Sequence, residues 1–179
     1  MSRKKMVCGK QAGAGCRPRL SGRLDYEQED LREGEVTLFL GGFARAASRE
    51  RLFKTIANEL EGATLALDWR GLGDSEGDFG GMTVKALEDD LRRMVYLLYA
   101  EGFNKFNFVA HSLGACGLAL FSLAAFDYLP VNRMVMLAPA LDQRSLLRYW
   151  FSREFGYKIP NDFWNKVRQF ANGQNWRQV

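Results

Sequence analysis

The stretch Phe108-Val109-Ala110-His111-Ser112-Leu113-Gly114 decides how this chain folds. An apolar run predicts a buried strand, and the apolar, small-residue segment after it predicts a helix from Ser112 to Phe126. Small residues at Ala110 and Gly114 suit a point where a strand and a helix approach closely. A serine on such a sharp, strained turn presents its hydroxyl to solvent beside a helix N-terminus, which is typical of a nucleophile.

The chain contains one histidine, His111, and it stands beside this serine. Serine nucleophiles take their reactivity from a base, usually a histidine, and without one the hydroxyl stays protonated. The turn points neighbouring side chains in different directions, so we expect the His111 ring to pack beneath the loops. The motif therefore predicts a nucleophile and leaves its base unassigned.

The rest of the chain alternates short apolar runs with segments of helical periodicity. Four of the runs are predicted strands, and they cover residues 36–40, 63–67, 106–110 and 134–137. Helical spacing predicts helices over residues 49–59 and 84–98, the first with Ser48 as its N-cap. Residues 22–28 form a candidate edge strand. This alternation predicts an α/β fold, a mostly parallel sheet with helices on both faces.

Composition bounds the class of protein. The 179 residues fit one domain, and no long uncharged apolar run indicates a membrane span. Residues 1–24 hold seven basic and no acidic residues, which leaves 18 basic against 21 acidic residues, or −3, for the remainder. We therefore expect a basic, disordered tail over residues 1–20 and no nucleic-acid-binding face on the body. Three cysteines without metal-ligand spacing favour a cytoplasmic protein, although an organellar transit peptide at residues 1–20 stays open.

A glycine pair follows the first of the four predicted strands. The sequence Leu40-Gly41-Gly42-Phe43 ends that strand, and glycines there let backbone N–H groups point into the space above the sheet. The amides of Phe43 and Leu113 are candidates for an oxyanion hole, which stabilises the charge that develops during acyl transfer. A plain Gly-Gly strand stop is the simpler interpretation of the same residues.

A second loop, rich in glycine and charge, follows the next strand. It has the sequence Asp68-Trp69-Arg70-Gly71-Leu72-Gly73-Asp74-Ser75-Glu76-Gly77. Its charges suit the fixing of a loop better than an action on substrate. We expect Asp68 and Arg70 to form a structural ion pair.

Together, these three motifs resemble the α/β-hydrolase superfamily, in particular its lipase, esterase and serine-aminopeptidase-like branch, over residues 22–145. The resemblance implies Ser112 as the nucleophile and the Phe43 and Leu113 amides as the oxyanion hole. It implies hydrolysis of an ester, thioester or amide through an acyl-serine intermediate, with a small-molecule acyl substrate and no metal or other cofactor. It also implies that the Ser112 strand lies across a strand-order reversal from the Phe43 strand, where open α/β sheets bind ligands.

The sequence departs from the family pattern after the fourth predicted strand. Members of the family continue through a helical lid into two more strands, which deliver the acid and the histidine. Here residues 21–140 correspond to the core, and the aromatic-rich residues 141–179 resemble the lid. Asp142 lies where some lipase-like members place the acid, although an aspartate there is more often a helix cap. We therefore expect a C-terminally truncated core that is inactive or weakly active on its own.

Three interpretations stay open. The chain is the N-terminal part of a serine hydrolase, or it is a non-catalytic α/β-hydrolase-like protein that binds a ligand or a partner chain. The third interpretation is a hydrolase with an unusual base, such as Asp142 or a histidine from another chain. In the second case, a homodimer through the open sheet edge would cover an otherwise unprotected strand.

Overall fold

The computed structural model of the chain describes residues 2–8, 17–125, 131–142, 145–146 and 149. Within these residues, six β-strands form one sheet in the order β1-β2-β4-β3-β5-β6. The strands are β1 (Ser2–Cys8), β2 (Leu20–Tyr26), β3 (Glu35–Leu40), β4 (Ala63–Asp68), β5 (Lys105–His111) and β6 (Val131–Leu137). The α-helices of the same residues are α1 (Gln28–Glu33), α2 (Arg51–Asn58), α3 (Val84–Ala100) and α4 (Leu113–Ala125).

The sheet is mostly parallel. Strand β3 pairs in parallel with β4 on one side and with β5 on the other, and β6 continues the parallel run beside β5. Strands β2 and β1 add two antiparallel strands at the opposite edge. Each of the four strands predicted from apolar runs lies within one of β3 to β6. The predicted fold class, α/β with a mostly parallel sheet, is confirmed.

Strand β1 departs from the prediction of a disordered basic tail over residues 1–20. Ser2–Cys8 pair antiparallel with β2, in a register that sets Met6 opposite Gly22. Met6 is buried, whereas the basic side chains of β1 reach acidic groups of the body. These ion pairs are Arg3–Asp25 (2.7 Å), Lys4–Glu101 (2.6 Å) and Lys5–Asp74 (2.7 Å). The predicted disorder is wrong for Ser2–Cys8, which form a strand. The basic side chains that suggested a disordered tail are paired with acidic residues distant in sequence.

Helices cover both faces of the sheet. Successive side chains of a strand point to opposite faces. On one face, Leu38 and Phe108 belong to the larger hydrophobic cluster, which they share with buried residues of α3 and α4. On the other face, Phe39 and Val109 cluster with Phe53 of α2. Because both faces are covered, the central strands are apolar throughout rather than alternating, as expected of parallel strands.

The strand order reverses beside β3. The chain passes from β3 to β4 on one side, and later places β5 on the other side. Leu40, the last residue of β3, lies opposite Ala110 of β5. The loops that leave the carboxyl ends of β3 and β5 therefore lead to opposite sides and leave a crevice between them, as at the ligand sites of open α/β sheets.

The chain divides into two compact units, residues 1–139 and 140–179. The first unit contains the whole sheet. Most of the aromatic segment predicted as lid-like, residues 141–179, lies outside the described residues, so that domain assignment stays a prediction. No helix in the described ranges is long and apolar enough to cross a membrane.

Candidate functional site

Ser112 lies on the sharp turn between β5 and α4. Its φ angle is 52°, in the left-handed region that residues with a side chain enter rarely and at a cost of about 1–3 kcal/mol. The Ser112 N–H donates to the carbonyl of Leu137 at 3.0 Å, and the Ser112 carbonyl accepts from the N–H of Ala115 at 3.2 Å. A strained serine is thus held between the end of β6 and the first turn of α4.

Gly114 is needed because α4 begins against the end of β3. A side-chain carbon at Gly114 would lie 2.6 Å from the Leu40 carbonyl oxygen and 2.5 Å from that of Gly41. Ala110, on the other side of the serine, is fully buried. Gly114 therefore marks a close approach of backbone to backbone, and Ala110 lies in the core beside it.

The glycine turn after β3 lies directly beside Ser112. A side-chain carbon at Gly42 would lie 3.1 Å from Cβ of Ser112 and 3.3 Å from Nδ1 of His111. The Gly41 carbonyl accepts a 2.8 Å hydrogen bond from the buried Nε1–H of Trp69. The turn is therefore anchored by Trp69 through the Gly41 carbonyl, and Gly42 packs closely against Ser112 and His111.

The two amides predicted as an oxyanion hole belong to the loops that line the crevice. Phe43 follows Gly42, and its half-exposed ring meets Phe79 edge-on with 5.0 Å between centroids. Leu113 follows Ser112 as the first residue of α4, so its N–H has no carbonyl acceptor within the helix. The residues that precede them, Gly42 and Ser112, lie against each other, and the role of the two amides as an oxyanion hole stays a prediction.

The charged loop after β4 is fixed differently from the prediction. Asp68 is buried and accepts from Ser48, through its N–H at 3.0 Å and its hydroxyl at 2.7 Å. Arg70 instead donates hydrogen bonds to the carboxylate of Asp90 in α3, from Nη2 at 2.6 Å and from Nε at 3.0 Å. The hydrogen bond to Asp90 raises the pKa of the Arg70 guanidinium above its ordinary value. The predicted pair of Asp68 with Arg70 is wrong, because each side chain has a better partner elsewhere.

Ser48 does not cap helix α2 as predicted. The helix begins at Arg51, and the N-cap position is Glu50. Ser48 lies in a short 3₁₀ turn before the helix. Its N–H and its hydroxyl both donate to Asp68, so neither is available to cap α2. The serine identified as a cap instead joins the loop after β3 to the end of β4.

His111 meets an acidic residue that sequence reasoning missed. Its Nδ1 atom lies 3.7 Å from Oε1 of Glu50, whose side chain is only 10% exposed. Both Nδ1 of His111 and Oε2 of Glu50 are buried without a hydrogen-bond partner among the described residues. No signal in the sequence connects these positions, because Glu50 stands in a segment with ordinary helical periodicity.

Asp142, the candidate for the acid, belongs to the second unit. Its Oδ1 accepts from the N–H of Ser145 at 3.0 Å, and its carbonyl accepts from the N–H of Leu146 at 3.0 Å. These bonds are those of a residue that caps a helical turn. Its catalytic role stays a prediction.

Solved structures with the same fold include several hydrolases. An esterase from Pyrococcus furiosus aligns with a TM-score of 0.66 and 20% identity over 97% of this chain and 63% of its own. Est1E from Butyrivibrio proteoclasticus, solved with ferulic acid bound, aligns with a TM-score of 0.66 and 22% identity over 94% of this chain and 71% of its own. The epoxide hydrolase CorEH aligns with a TM-score of 0.55 and 21% identity over 77% of this chain and 43% of its own. The chain thus spans less than two thirds of the Pyrococcus esterase and less than half of CorEH.

Sequence comparison then assigns the family. No curated protein sequence gives a significant match. The model of the Alpha/beta hydrolase family matches residues 38–177, a range that includes the ends of β3 and β5 and both loops of the crevice. The resemblance drawn from the three motifs is thereby confirmed. The chain belongs to the alpha/beta hydrolase family.

Proposed function

We propose that this chain carries the nucleophile half of a serine hydrolase, which acts on an ester, thioester or amide of a small-molecule acyl substrate. The observation that supports it most is the contact between two loops of the crevice. Ser112 sits on a turn with φ of 52°, and the backbone of Gly42 lies against its Cβ. A partly exposed serine on a strained turn beside a glycine turn is an arrangement suited to acyl transfer.

In the proposed reaction, the Ser112 hydroxyl oxygen attacks the acyl carbonyl and loses its proton to a base. The N–H groups of Phe43 and Leu113 hold the negative charge that forms on the carbonyl oxygen. Collapse of this intermediate expels the alcohol, thiol or amine and leaves the acyl group on Ser112. Water then attacks the acyl-serine and releases the acid. No step in this scheme uses a metal or a cofactor.

The base limits the rate of this scheme. The 179 residues contain one imidazole, that of His111, and its Nδ1 faces Glu50 rather than solvent. Removal of the base from a serine hydrolase lowers turnover by about 10⁶-fold, although binding and the oxyanion hole retain some catalysis. The proposed chain therefore turns over weakly or not at all without an added base. Asp142 remains the candidate acid within these residues.

Active-site labelling tests the nucleophile. A fluorophosphonate is expected to modify Ser112 slowly, with intact mass spectrometry reporting one adduct and peptide mapping reporting its position. Ser112→Ala is expected to abolish the adduct. Ser122→Ala is the matched control, because Ser122 lies further along α4 and its hydroxyl bonds to the Ala119 carbonyl at 2.8 Å. An adduct that persists in Ser112→Ala contradicts the proposal.

A non-catalytic binding protein is the second candidate. The single imidazole favours it, and so does the exposure of Met134 (38%) and Val135 (48%) on β6, a strand that pairs only with β5 among the described strands. Such a protein would use the crevice for a ligand, or the β6 edge for a homodimer. A folded chain that resists labelling and dimerises in sedimentation experiments would support this candidate over the hydrolase.

We also assign the protein to the cytoplasm. The three cysteines have no metal-ligand spacing, and their odd number does not suit a disulfide framework. Fractionation of cells that express the chain with a C-terminal tag checks the assignment. Recovery of the tagged chain in organelles would contradict it.

A further inference from the structure

Glu50 occupies a helix cap position without acting as a cap. It is the N-cap residue of α2, yet its side chain accepts no hydrogen bond from that helix. The side chain is only 10% exposed. Burial of a charged carboxylate is unfavourable unless the group is paired, so the Glu50 side chain needs a partner. The partner is therefore to be sought outside the helix.

His111 is the group that faces this carboxylate. Oε1 of Glu50 lies 3.7 Å from Nδ1 of His111, and Nδ1 and Glu50 Oε2 are both buried without another partner in the described part of the chain. A buried polar atom without a hydrogen-bond partner is unfavourable, because it has lost its hydration without replacement. A small rotation of either side chain would bring Nδ1 and a carboxylate oxygen to hydrogen-bond distance.

The chemistry of the two groups fixes where the proton lies. A carboxylate can only accept, so a favourable contact requires that Nδ1 carry a hydrogen. The opposite tautomer would place the lone pair of Nδ1 against the lone pairs of the carboxylate in a buried site. Glu50 therefore selects an imidazole protonated at Nδ1.

The same ring supports the glycine turn. A side-chain carbon at Gly42 would meet Nδ1 of His111 at 3.3 Å and Cβ of Ser112 at 3.1 Å, so the ring and the serine bound one small space. We propose that Glu50 is a positioning residue: it fixes the His111 ring with its proton on Nδ1, and the ring holds the Gly41–Phe43 turn against Ser112. The catalytic consequence of this arrangement rests on the proposed hydrolase function, whereas the tautomer and the turn do not.

Nuclear magnetic resonance tests the first step, because the only imidazole in the chain is that of His111. Long-range ¹H–¹⁵N spectra, recorded at a pH where imidazole is neutral, distinguish the two tautomers. The wild-type chain is expected to carry the proton on Nδ1, and Glu50→Ala is expected to move it to Nε2. Glu59→Ala, which removes an exposed glutamate just past α2, should leave the spectrum unchanged. An unprotonated Nδ1 in the wild type would overturn the proposal.

Hydrogen exchange tests the second step without any need for activity. Glu50→Ala is expected to speed amide exchange at Arg45 by about tenfold, because the Arg45 N–H donates to the Gly42 carbonyl at 3.4 Å and a loosened turn breaks this bond more often. Circular dichroism confirms that the variant is folded, which we expect because the Glu50 side chain makes no cap hydrogen bond. Unchanged exchange at the Arg45 amide would overturn the positioning role.

Labelling kinetics separate this inference from the proposed function. In Glu50→Ala, the maximal rate of Ser112 phosphonylation is expected to fall about tenfold with unchanged reagent affinity, since small displacements in a site cost reactivity rather than binding. No labelling of the wild type would defeat the hydrolase proposal and leave the tautomer and exchange results standing. Labelling of Glu50→Ala at the wild-type rate would defeat the positioning role alone.

Discussion

The backbone N–H of Ser112 is bonded to the carbonyl of Leu137 at 3.0 Å, which joins the turn after β5 to the last residue of β6. The contact continues the parallel pairing, in which His111 lies opposite Leu137. The turn therefore takes its shape from both neighbours of β5: Gly42 after β3 lies on one side, and the end of β6 on the other.

Gly114→Ala is expected to destabilise the fold by about 2 kcal/mol, a cost in the range of core overpacking. The new carbon would lie 2.5 and 2.6 Å from two backbone carbonyl oxygens at the end of β3, which cannot yield as a flexible side chain would. Urea unfolding provides the measurement. Gly81→Ala is the matched control, because nothing lies within 4 Å of its added carbon. Equal stability of the two variants would contradict the close approach.

Ser112→Gly is expected to raise the free energy of unfolding by about 1 kcal/mol, because glycine adopts a φ of 52° without strain. The same change removes the proposed nucleophile, so labelling is lost as stability rises. Ser122→Gly, in the interior of α4, should instead lose about 0.5–1 kcal/mol. Thermal unfolding of both variants and the wild type compares their stabilities. A Ser112→Gly variant less stable than the wild type would contradict backbone strain at the turn.

Trp69→Phe tests the anchor of the glycine turn. The substitution keeps an aromatic ring but leaves the buried Gly41 carbonyl without the 2.8 Å hydrogen bond from the indole. The free energy of unfolding is expected to fall by about 1–3 kcal/mol. The rate of Ser112 labelling should fall as well, because the turn loses a fixed point. If the variant loses stability but keeps the wild-type labelling rate, the hydrogen bond from Trp69 stabilises the fold without affecting the reactivity of Ser112.

Glu88 is expected to make stability depend on pH in the acid range. Burial alone would raise the pKa of this carboxyl, but hydrogen bonds from Lys85 and Arg92 outweigh burial and lower the pKa below its ordinary value. Its contribution is therefore complete above the unfolded-state pKa and is lost as the pH falls through the lower folded-state pKa. Urea midpoints between about pH 7 and about pH 3 should fall less steeply in Glu88→Gln than in the wild type. Parallel profiles would contradict this assignment.

Much of the fold could be predicted from local sequence. The central strands are continuous apolar runs, so periodicity alone locates them, and the helices between them require parallel pairing. The serine turn is equally local: Ala110 and Gly114 stand two residues either side of Ser112, and the structure explains Gly114 by close approach of backbone and Ala110 by its full burial. Short-range patterns suffice where neighbours in sequence are neighbours in space.

Contacts between distant segments could not be predicted in this way. Ser48 has the composition of a helix cap, but Asp68, twenty residues away, binds it more favourably. Glu50 and His111 are separated in sequence by α2, β4, α3 and most of β5, and neither position carries a local signal of the other. Long-range polar partners depend on the assembled sheet, so sequence periodicity does not report them.

The pairing of β1 with β2 bears on how the protein should be produced. If the basic residues of β1 are treated as a dispensable tail and the expressed protein begins after Cys8, β2 becomes the edge strand of the sheet. The lost strand supplies the buried Met6, so an apolar surface would open together with a row of free backbone hydrogen-bonding groups. Exposed strands of this kind recruit other chains edge to edge. Versions that lack β1 are thus expected to aggregate, because β1 covers the edge of β2 and keeps it from pairing with other chains.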